Sequence, residues 1–256
     1  LDSQPDMSEM YNSYPYLSSS NKYMITALED VAKSAKELKC LNTRDLILDI
    51  GGNDGTLLSF FNSSGYNLLS IDPAKNIVPI FNSPNTRFIQ SFFNKETFDS
   101  ITTQKAKLIF SIAMFYHLSN PVKFCQDVAD CMDSDGVWII QMAYLPAMLS
   151  KNMYDNIVHE HNGYYGIKTM QYLMSKVGLE VFDVSLNDVY GGSFRVFVKK
   201  LKSKKYRTSQ RLLNLVKLET DANIDDIRTY EDFTKRIEYT KKSLIELLLD
   251  LEEMGK

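Results

Sequence analysis

The sequence has little cysteine and no excess of positive charge. Its three cysteines, Cys40, Cys125 and Cys131, lack C-x-x-C spacing, so they indicate neither a disulfide framework nor a zinc site. The 29 lysines and arginines stand against 32 aspartates and glutamates, for a formal net charge of −3. Because nucleic acids are bound by basic surfaces, this balance argues against a nucleic-acid partner.

The sequence also lacks a long apolar run and a segment that looks like a signal peptide. No run reaches the roughly 18 apolar residues that a membrane-spanning helix needs. We therefore expect no membrane partner and a cytoplasmic protein. The basic run Lys199–Arg207 is interpreted as a solvated connector and not as a binding patch.

Short apolar runs alternate with segments of helical periodicity, and Leu46–Ile50 is nearly continuous, as a buried parallel strand is. Further strands are predicted at Asn67–Ile71, Arg87–Gln90, Lys107–Ile112, Gly136–Met142, Leu179–Leu186 and Ser193–Lys199, the last two antiparallel. Helices are predicted at Thr56–Asn62, Ala74–Asn82, Lys95–Thr103, Pro121–Met132 and Lys168–Gly178. The alternation predicts an α/β fold with a Rossmann-like, doubly wound sheet of seven strands.

Three regions follow from these patterns. Residues 1–40 are predicted to form an N-terminal arm and a helix, because residues 1–22 show no clear period and 23–39 have helical spacing. Residues 41–200 form the cofactor-binding domain. Residues 201–256 form a C-terminal helical segment, which we expect to be helical from about Ser209 to the end.

A glycine-rich segment follows the first strand, with Asp49, Gly51 and Gly55 spaced as D-x-G-x-x-x-G. Glycines let the backbone approach a ligand beyond the carboxyl ends of the strands. The spacing differs from the G-x-G-x-x-G of dinucleotide sites, which disfavours a nicotinamide-dependent oxidoreductase. Asp72 ends the second strand and can accept both hydroxyls of a ribose. S-adenosylmethionine, with product S-adenosylhomocysteine, is the predicted cofactor, since it has no phosphate and its ammonium group suits Asp49.

Further motifs extend over nearly the whole chain. They are Tyr14–Ser19, Ile50–Leu57, Ile71–Ala74, Ser91–Phe93, His117, Gly136-Val137, the H-E-H stretch within Tyr154–His161, and the GGS-x-R strand within Gly191–Val196. Together they resemble the sugar C-methyltransferases, class I S-adenosylmethionine-dependent enzymes that act on nucleotide-linked 4-keto sugars. The sequence departs from this family at Val158, usually tyrosine, and at Ala113, usually asparagine. The family's N-terminal zinc module and C-terminal nucleotide-sugar module are expected to lie outside these 256 residues.

The resemblance implies a role for each matching position. In the H-E-H stretch, the candidate catalytic residues are His161, Glu160 and His159, with His161 as the preferred base and Glu160 orienting it; on an extended segment the two histidines would point the same way. The implied cofactor site comprises Asp49, Gly51, Asn53, Gly55, Asp72, Pro73, Ser91, Phe92, Phe93 and Tyr16. The implied substrate site comprises Tyr14, His117, Tyr164 and Arg195, and no metal is expected.

Several alternatives stay open at this point. The acceptor is expected to be a small carbohydrate-pathway molecule, methylated on carbon or oxygen for a surface polysaccharide or secondary metabolite. An O-methyltransferase acting on a non-nucleotide, phosphoryl-containing capsule precursor is one alternative, and an inactive cofactor-binding partner subunit is another. The H-E-H stretch could instead bind a metal or form a polar loop, although it lacks HExxH spacing and a cysteine partner. Arg195 could bind an anionic substrate group or form a structural ion pair.

Overall fold

The computed structural model describes residues 7–62, 65–80 and 84–255. Seven strands form one sheet: β1 Leu46–Ile50, β2 Asn67–Asp72, β3 Thr86–Gln90, β4 Ala106–Ile112, β5 Met132–Ala143, β6 Leu179–Asn187 and β7 Ser193–Lys200. The helices are α1 Met7–Met10, α2 Lys22–Glu37, α3 Thr56–Ser59, α4 Lys95–Ile101, α5 Pro121–Cys131, α6 Leu145–Ser150, α7 Ile167–Lys176, α8 Gln210–Asp221 and α9 Ile227–Glu253.

The strand order is β3-β2-β1-β4-β5-β7-β6. Strands β1 to β5 are parallel, and β7 runs antiparallel to both β5 and β6. The predicted doubly wound, seven-stranded sheet is thus confirmed. Because the chain leaves β1 toward one edge and returns to β4 on its other side, a crevice opens at the carboxyl ends of β1 and β4, where ligands of such folds bind.

Alternate residues of each strand face opposite helical layers, which is why the apolar runs are nearly continuous. Leu46 and Leu48 of β1 pack with Trp138 and with the buried side chains of α5 and α7. Ile47, between them, packs on the other side with Val31 of α2. The core is therefore two apolar layers separated by the sheet.

The predicted helix over Ala74–Asn82 is wrong for its described part, since residues 74–80 form turns and irregular backbone. Pro79 disfavours helical backbone at the residue before it. The Asn76 side chain also pairs with the backbone of Tyr14. A break over residues 222–226 divides the predicted C-terminal helix into α8 and α9.

The C-terminal helices are attached to the domain by different amounts of buried surface. Leu212 and Leu215 of α8 enter the main core. Phe233 of α9 packs on Met148 and Leu149 of α6. Among the described helices, α9 included, none has the length and apolarity that crossing a membrane requires.

Candidate functional site

A cavity of about 430 Å³ opens at the carboxyl ends of β1, β2 and β4. The N-terminal arm, the first turns of α2 and the loops after β1, β2, β3 and β4 form its walls, together with the H-E-H stretch and Tyr190. Twelve of the predicted site residues line it: Asp49, Gly51, Asn53, Asp72, Pro73, Phe92, Phe93, Tyr14, Tyr16, His117, Glu160 and His161. The other five, which do not line it, are Gly55, Ser91, His159, Tyr164 and Arg195.

The glycine loop brings backbone close to the side chains at the end of the sheet. Gly51 and Gly55 have φ of 71° and 82°, a region that glycine occupies without steric cost. A Cβ at Gly52 would lie 2.3 Å from Ser70 Oγ and 2.9 Å from Asp49 Oδ2. Gly55 caps α3 and shapes the turn, whereas Gly51 and Gly52 line the cavity.

Asp49 has the properties that a site for a cationic group requires. Its side chain is buried, and within the described part of the chain Oδ2 has no hydrogen-bond partner. Burial, with a smaller contribution from Asp72, raises the pKa of the Asp49 carboxyl to about 8. Because a buried, unpaired carboxylate is costly, Asp49 fits the ammonium group of S-adenosylmethionine.

Asp72 is oriented by two backbone hydrogen bonds. Asn53 N–H donates to Oδ2 and Ala74 N–H to Oδ1, each at 2.8 Å. Burial raises the pKa of this carboxyl, and the two N–H donors oppose that shift. Each oxygen can still accept a further hydrogen bond, so Asp72 fits the hydroxyls of a ribose.

Asn53 lines the cavity, but its amide group binds the arm. Its Oδ1 accepts the Ser18 N–H at 2.9 Å, and its Nδ2 donates to Tyr16 O at 3.0 Å. The sequence placed Asn53 in the cofactor set without these contacts. Its side chain therefore links the glycine loop to the arm.

The H-E-H stretch is a turn, so the expectation of an extended segment was wrong. His161 N–H donates to Val158 O at 3.1 Å. This turn brings Glu160 and His161 together into the cavity wall. His159 is exposed and lies outside the lining, which corrects its predicted place beside the base.

His161 is held in one tautomer by a backbone carbonyl. Its Nδ1 lies 2.8 Å from Asn156 O, and a carbonyl can only accept, so Nδ1 carries the proton. In the neutral ring, Nε2 is then the acceptor. Tyr164 donates its hydroxyl to the same carbonyl at 3.2 Å. Tyr164 therefore supports the His161 contact. It does not line the cavity, which corrects its predicted place in the substrate site.

His117 and Tyr116 lie against the His161 ring. The His117 and His161 rings are stacked at 5.4 Å, and Tyr116 lies 4.3 Å from His161. Burial, then the neighbouring His161, lowers the pKa of His117 to about 4. Its Nδ1 is 3.4 Å from the Tyr11 hydroxyl. His117 is therefore neutral near pH 7.

Five tyrosines line the rest of the wall: Tyr11, Tyr14, Tyr16, Tyr116 and Tyr190. Burial, and next the charge of Glu160, raises the pKa of Tyr14 to about 12. Sequence reasoning missed Tyr11 and Tyr116. The only local signal for them was their position beside predicted residues, on the arm and next to His117.

Arg195 and Ser91 serve the fold. Arg195 Nη2 lies 2.8 Å from Asp30 Oδ2, and Nε donates to Gln141 Oε1 at 2.8 Å. The structure thus assigns Arg195 to an ion pair between β7 and α2, which corrects its placement in the substrate site. Ser91 N–H donates to Asp72 O at 3.0 Å and places Phe92 and Phe93 in the wall.

No group of three or more His, Cys, Asp or Glu in the described chain could hold a metal.

Comparison with known proteins gives two family matches. Residues 21–184 match a family described as a methyltransferase domain, and residues 188–256 match one described as a C-methyltransferase C-terminal domain. The second match shows that sequence of the C-methyltransferase C-terminal domain begins at residue 188. The sequence analysis had placed the family's C-terminal module outside the 256 residues.

Individual relatives agree with these families. The chain is 27% identical over 255 residues to the C-methyltransferase NovU of Streptomyces niveus; the match covers 99% of this chain and 60% of that protein's length. The plantazolicin methyltransferase BpumL, solved with a triazolic desmethylPZN analog and SAH, has a TM-score of 0.55 at 11% identity, covering 76% of this chain and 94% of its own. The mitomycin 7-O-methyltransferase MmcR has a TM-score of 0.52 at 12% identity, covering 75% and 60%.

The structural likeness shows the fold, and the family match over 21–184 covers more than half of the chain. The chain therefore belongs to the methyltransferase domain family and has the fold of the class I S-adenosylmethionine-dependent methyltransferases.

Proposed function

We propose that this chain transfers a methyl group from S-adenosylmethionine to a small, uncharged, carbohydrate-like acceptor, with His161 as the base. The observation that carries the proposal is one cavity that joins two sets of groups. Asp49, the glycine loop and Asp72 line the same cavity as His161 and Glu160, together with five tyrosines.

The cofactor, when bound, supplies an electrophilic methyl group. Asp49 would hold its ammonium group, and Asp72 would accept hydrogen bonds from its ribose. Phe92 and Phe93 are the aromatic side chains on that part of the wall. The chain's contribution is positioning, since an in-line displacement depends mainly on the alignment of the reacting atoms.

His161 would take the proton from the acceptor through Nε2, because Nδ1 already donates to Asn156 O. Glu160 would orient an acceptor hydroxyl or the base itself. Removal of a proton next to a ketone would make a carbon nucleophile, and removal from a hydroxyl would make an oxygen nucleophile. The relative NovU is named a C-methyltransferase. This likeness favours carbon as the atom that this chain methylates, in the synthesis of a modified sugar.

The lining favours an uncharged acceptor over a phosphoryl-containing one. Its charged side chains are Asp49, Asp72 and Glu160, and the described lining contains no lysine or arginine. Phosphate binding uses arginine, lysine or a helix N-terminus. Arg195, the candidate for that role, is paired with Asp30. The phosphoryl-containing capsule precursor is therefore not supported by any contact in the cavity.

The test combines cofactor binding with methyl transfer. We expect S-adenosylhomocysteine to raise the unfolding temperature, since a ligand at 100 times its Kd adds about 2.7 kcal/mol, and Asp72→Ala to abolish that increase. With labelled S-adenosylmethionine and a panel of uncharged keto sugars, His161→Ala should lower turnover at least tenfold without changing cofactor affinity; transfer to nucleotide-linked keto sugars alone would contradict an uncharged acceptor. Binding without transfer to any acceptor would favour the inactive partner subunit. Absence of binding would overturn the proposal.

A further inference from the structure

The N-terminal arm covers the cofactor side of the cavity. Tyr11, Tyr14, Tyr16 and Ser18 line the same space as Gly51 and Asp72. None of these three tyrosines is fully buried, and the ring contacts of Tyr11 with Tyr14 and Phe92 involve only the first part of the arm. Hydrogen bonds therefore hold the rest of the arm in place.

Asn76 makes a paired contact with one residue of the arm. Its Oδ1 accepts the Tyr14 N–H and its Nδ2 donates to the Tyr14 carbonyl, each at 2.8 Å. The amide thus pairs with the arm as a neighbouring strand would. Asn76 itself is exposed and lies outside the cavity lining, so it acts on the site only through Tyr14.

Asn53 makes the same kind of contact two and four residues farther along, with Tyr16 O and Ser18 N–H. Asp54 Oδ2 accepts the next donor, the Ser19 N–H, at 2.9 Å. The loops after β1 and β2 carry these groups, and the same loops contain Gly51 and Pro73 of the predicted cofactor site. The backbone of the arm is consequently attached to these loops at Tyr14, Tyr16, Ser18 and Ser19, and Lys75 N–H also donates to Tyr11 O at 2.9 Å.

We propose that Asn76 is a positioning residue that latches the arm over the bound cofactor, and that cofactor exchange requires this latch to open. The proposal rests on the proposed function, because it needs the cavity to hold the cofactor. An exposed amide suits such a latch: water can replace both of its hydrogen bonds, so opening carries a small net cost. The Asn53 contacts are more buried and would keep the arm near the loop.

The test measures the release of S-adenosylhomocysteine from the purified chain by stopped-flow displacement. Asn76→Ala removes both hydrogen bonds, and we expect release about three- to tenfold faster, from two bonds of roughly 0.5 kcal/mol each or somewhat more. Asn76→Asp keeps the acceptor for the Tyr14 N–H but loses the donor to the Tyr14 carbonyl. Its release rate should therefore lie between those of the wild type and Asn76→Ala. Asn85→Ala, at another exposed asparagine, is the matched control and should release the ligand as the wild type does.

A second readout follows the arm itself. Chymotrypsin cleaves after tyrosine except before proline, so Tyr14-Pro15 is resistant and the bonds after Tyr11 and Tyr16 report on the arm. S-adenosylhomocysteine should protect these two bonds in the wild type and in Asn85→Ala, but much less in Asn76→Ala. Without ligand, the unfolding temperature should fall by no more than about 4 °C in Asn76→Ala and Asn76→Asp, since two exposed hydrogen bonds contribute little to global stability, and should stay unchanged in Asn85→Ala. Equal release rates and equal protection in Asn76→Ala would overturn the latch. No binding to the wild type would instead overturn the proposed function.

Discussion

At the scale of single residues, Asp49 is almost fully buried, and its Oδ2 has no hydrogen-bond partner among the described residues. Burial raises the pKa of its carboxyl to about 8, above the ordinary value of 3.8. The fold therefore favours the protonated form, and this stabilisation is fully present below about pH 4 and is lost as the pH rises through 8.

We accordingly predict that Asp49→Asn, which stays neutral, will be more stable than the wild type at pH 9 by about 2 kcal/mol, the scale of a buried unpaired polar group. At pH 5 the two proteins should be nearly equal. Urea unfolding at both pH values measures the difference. A difference that does not change with pH would contradict the assignment of the shift to Asp49.

The proposed role of Asp49 predicts that cofactor binding depends on pH. An ammonium group binds the ionised carboxylate, so below pH 8 part of the binding energy is used to deprotonate Asp49. S-adenosylhomocysteine should bind more tightly as the pH rises from 6 to 8, with release of a proton. Calorimetry in two buffers of different ionisation enthalpy detects that proton. Asp49→Asn should bind weakly at every pH.

At the scale of elements, Glu219 of α8 joins three parts of the fold. It is buried and accepts hydrogen bonds from the Tyr144 hydroxyl, at the end of β5, and from the first two N–H groups of α7, at Ile167 and Lys168. A carboxylate at a helix N-terminus also interacts favourably with the helix dipole. Gly166 leaves room for it, since a Cβ there would lie 2.9 Å from Glu219 Oε1.

We predict that Glu219→Ala will lower the free energy of unfolding by about 3 kcal/mol, because it leaves two N–H groups and a hydroxyl without their charged acceptor. Tyr144→Phe removes only one of these bonds and should cost about 1 kcal/mol. Denaturant unfolding checks both values. A cost for Glu219→Ala no greater than that for the exposed Glu238→Ala would show that the contacts do not hold α8 in place.

At the scale of the whole molecule, α9 has two halves with different roles. Phe233 in the first half is 6% exposed, and Arg236 donates to Leu149 O and Asn152 Oδ1. In the second half Leu244, Leu247 and Leu248 are 49 to 56% exposed. Only the first half is therefore part of the folded domain's packing.

We predict that a chain ending at Lys241 will keep its unfolding temperature within about 2 °C and will bind S-adenosylhomocysteine normally, because few buried contacts are lost. A chain ending at Asp226 loses Phe233 and should be destabilised by about 3 kcal/mol, as for removal of a buried aromatic side chain. Thermal unfolding of the two shortened chains distinguishes the halves. Equal effects would show that the second half packs on the domain.

Several features were predictable because they depend on near neighbours in the chain. Nearly continuous apolar runs marked the buried strands such as β1 and β4, since a strand buried on both faces needs continuous apolar sequence. The spacing of Asp49, Gly51 and Asp72 predicted a ligand crevice that the structure contains as a cavity, because a tight turn after a strand requires glycine and the carboxylates end adjacent strands. These features are set by the local backbone and by alternation along a strand.

The remaining features depend on which elements meet in space, and only the tertiary structure decided them. Asn53 and Asn76 bind the arm, and Arg195 finds Asp30, 165 positions earlier in the chain. The turn at His161 directs His159 away from the cavity, and the fold brings Tyr11 to His117. Local sequence restricts the backbone of a residue, but the partner of a polar side chain is set by the packing of distant elements, and at this site that packing selects the groups that face the ligand.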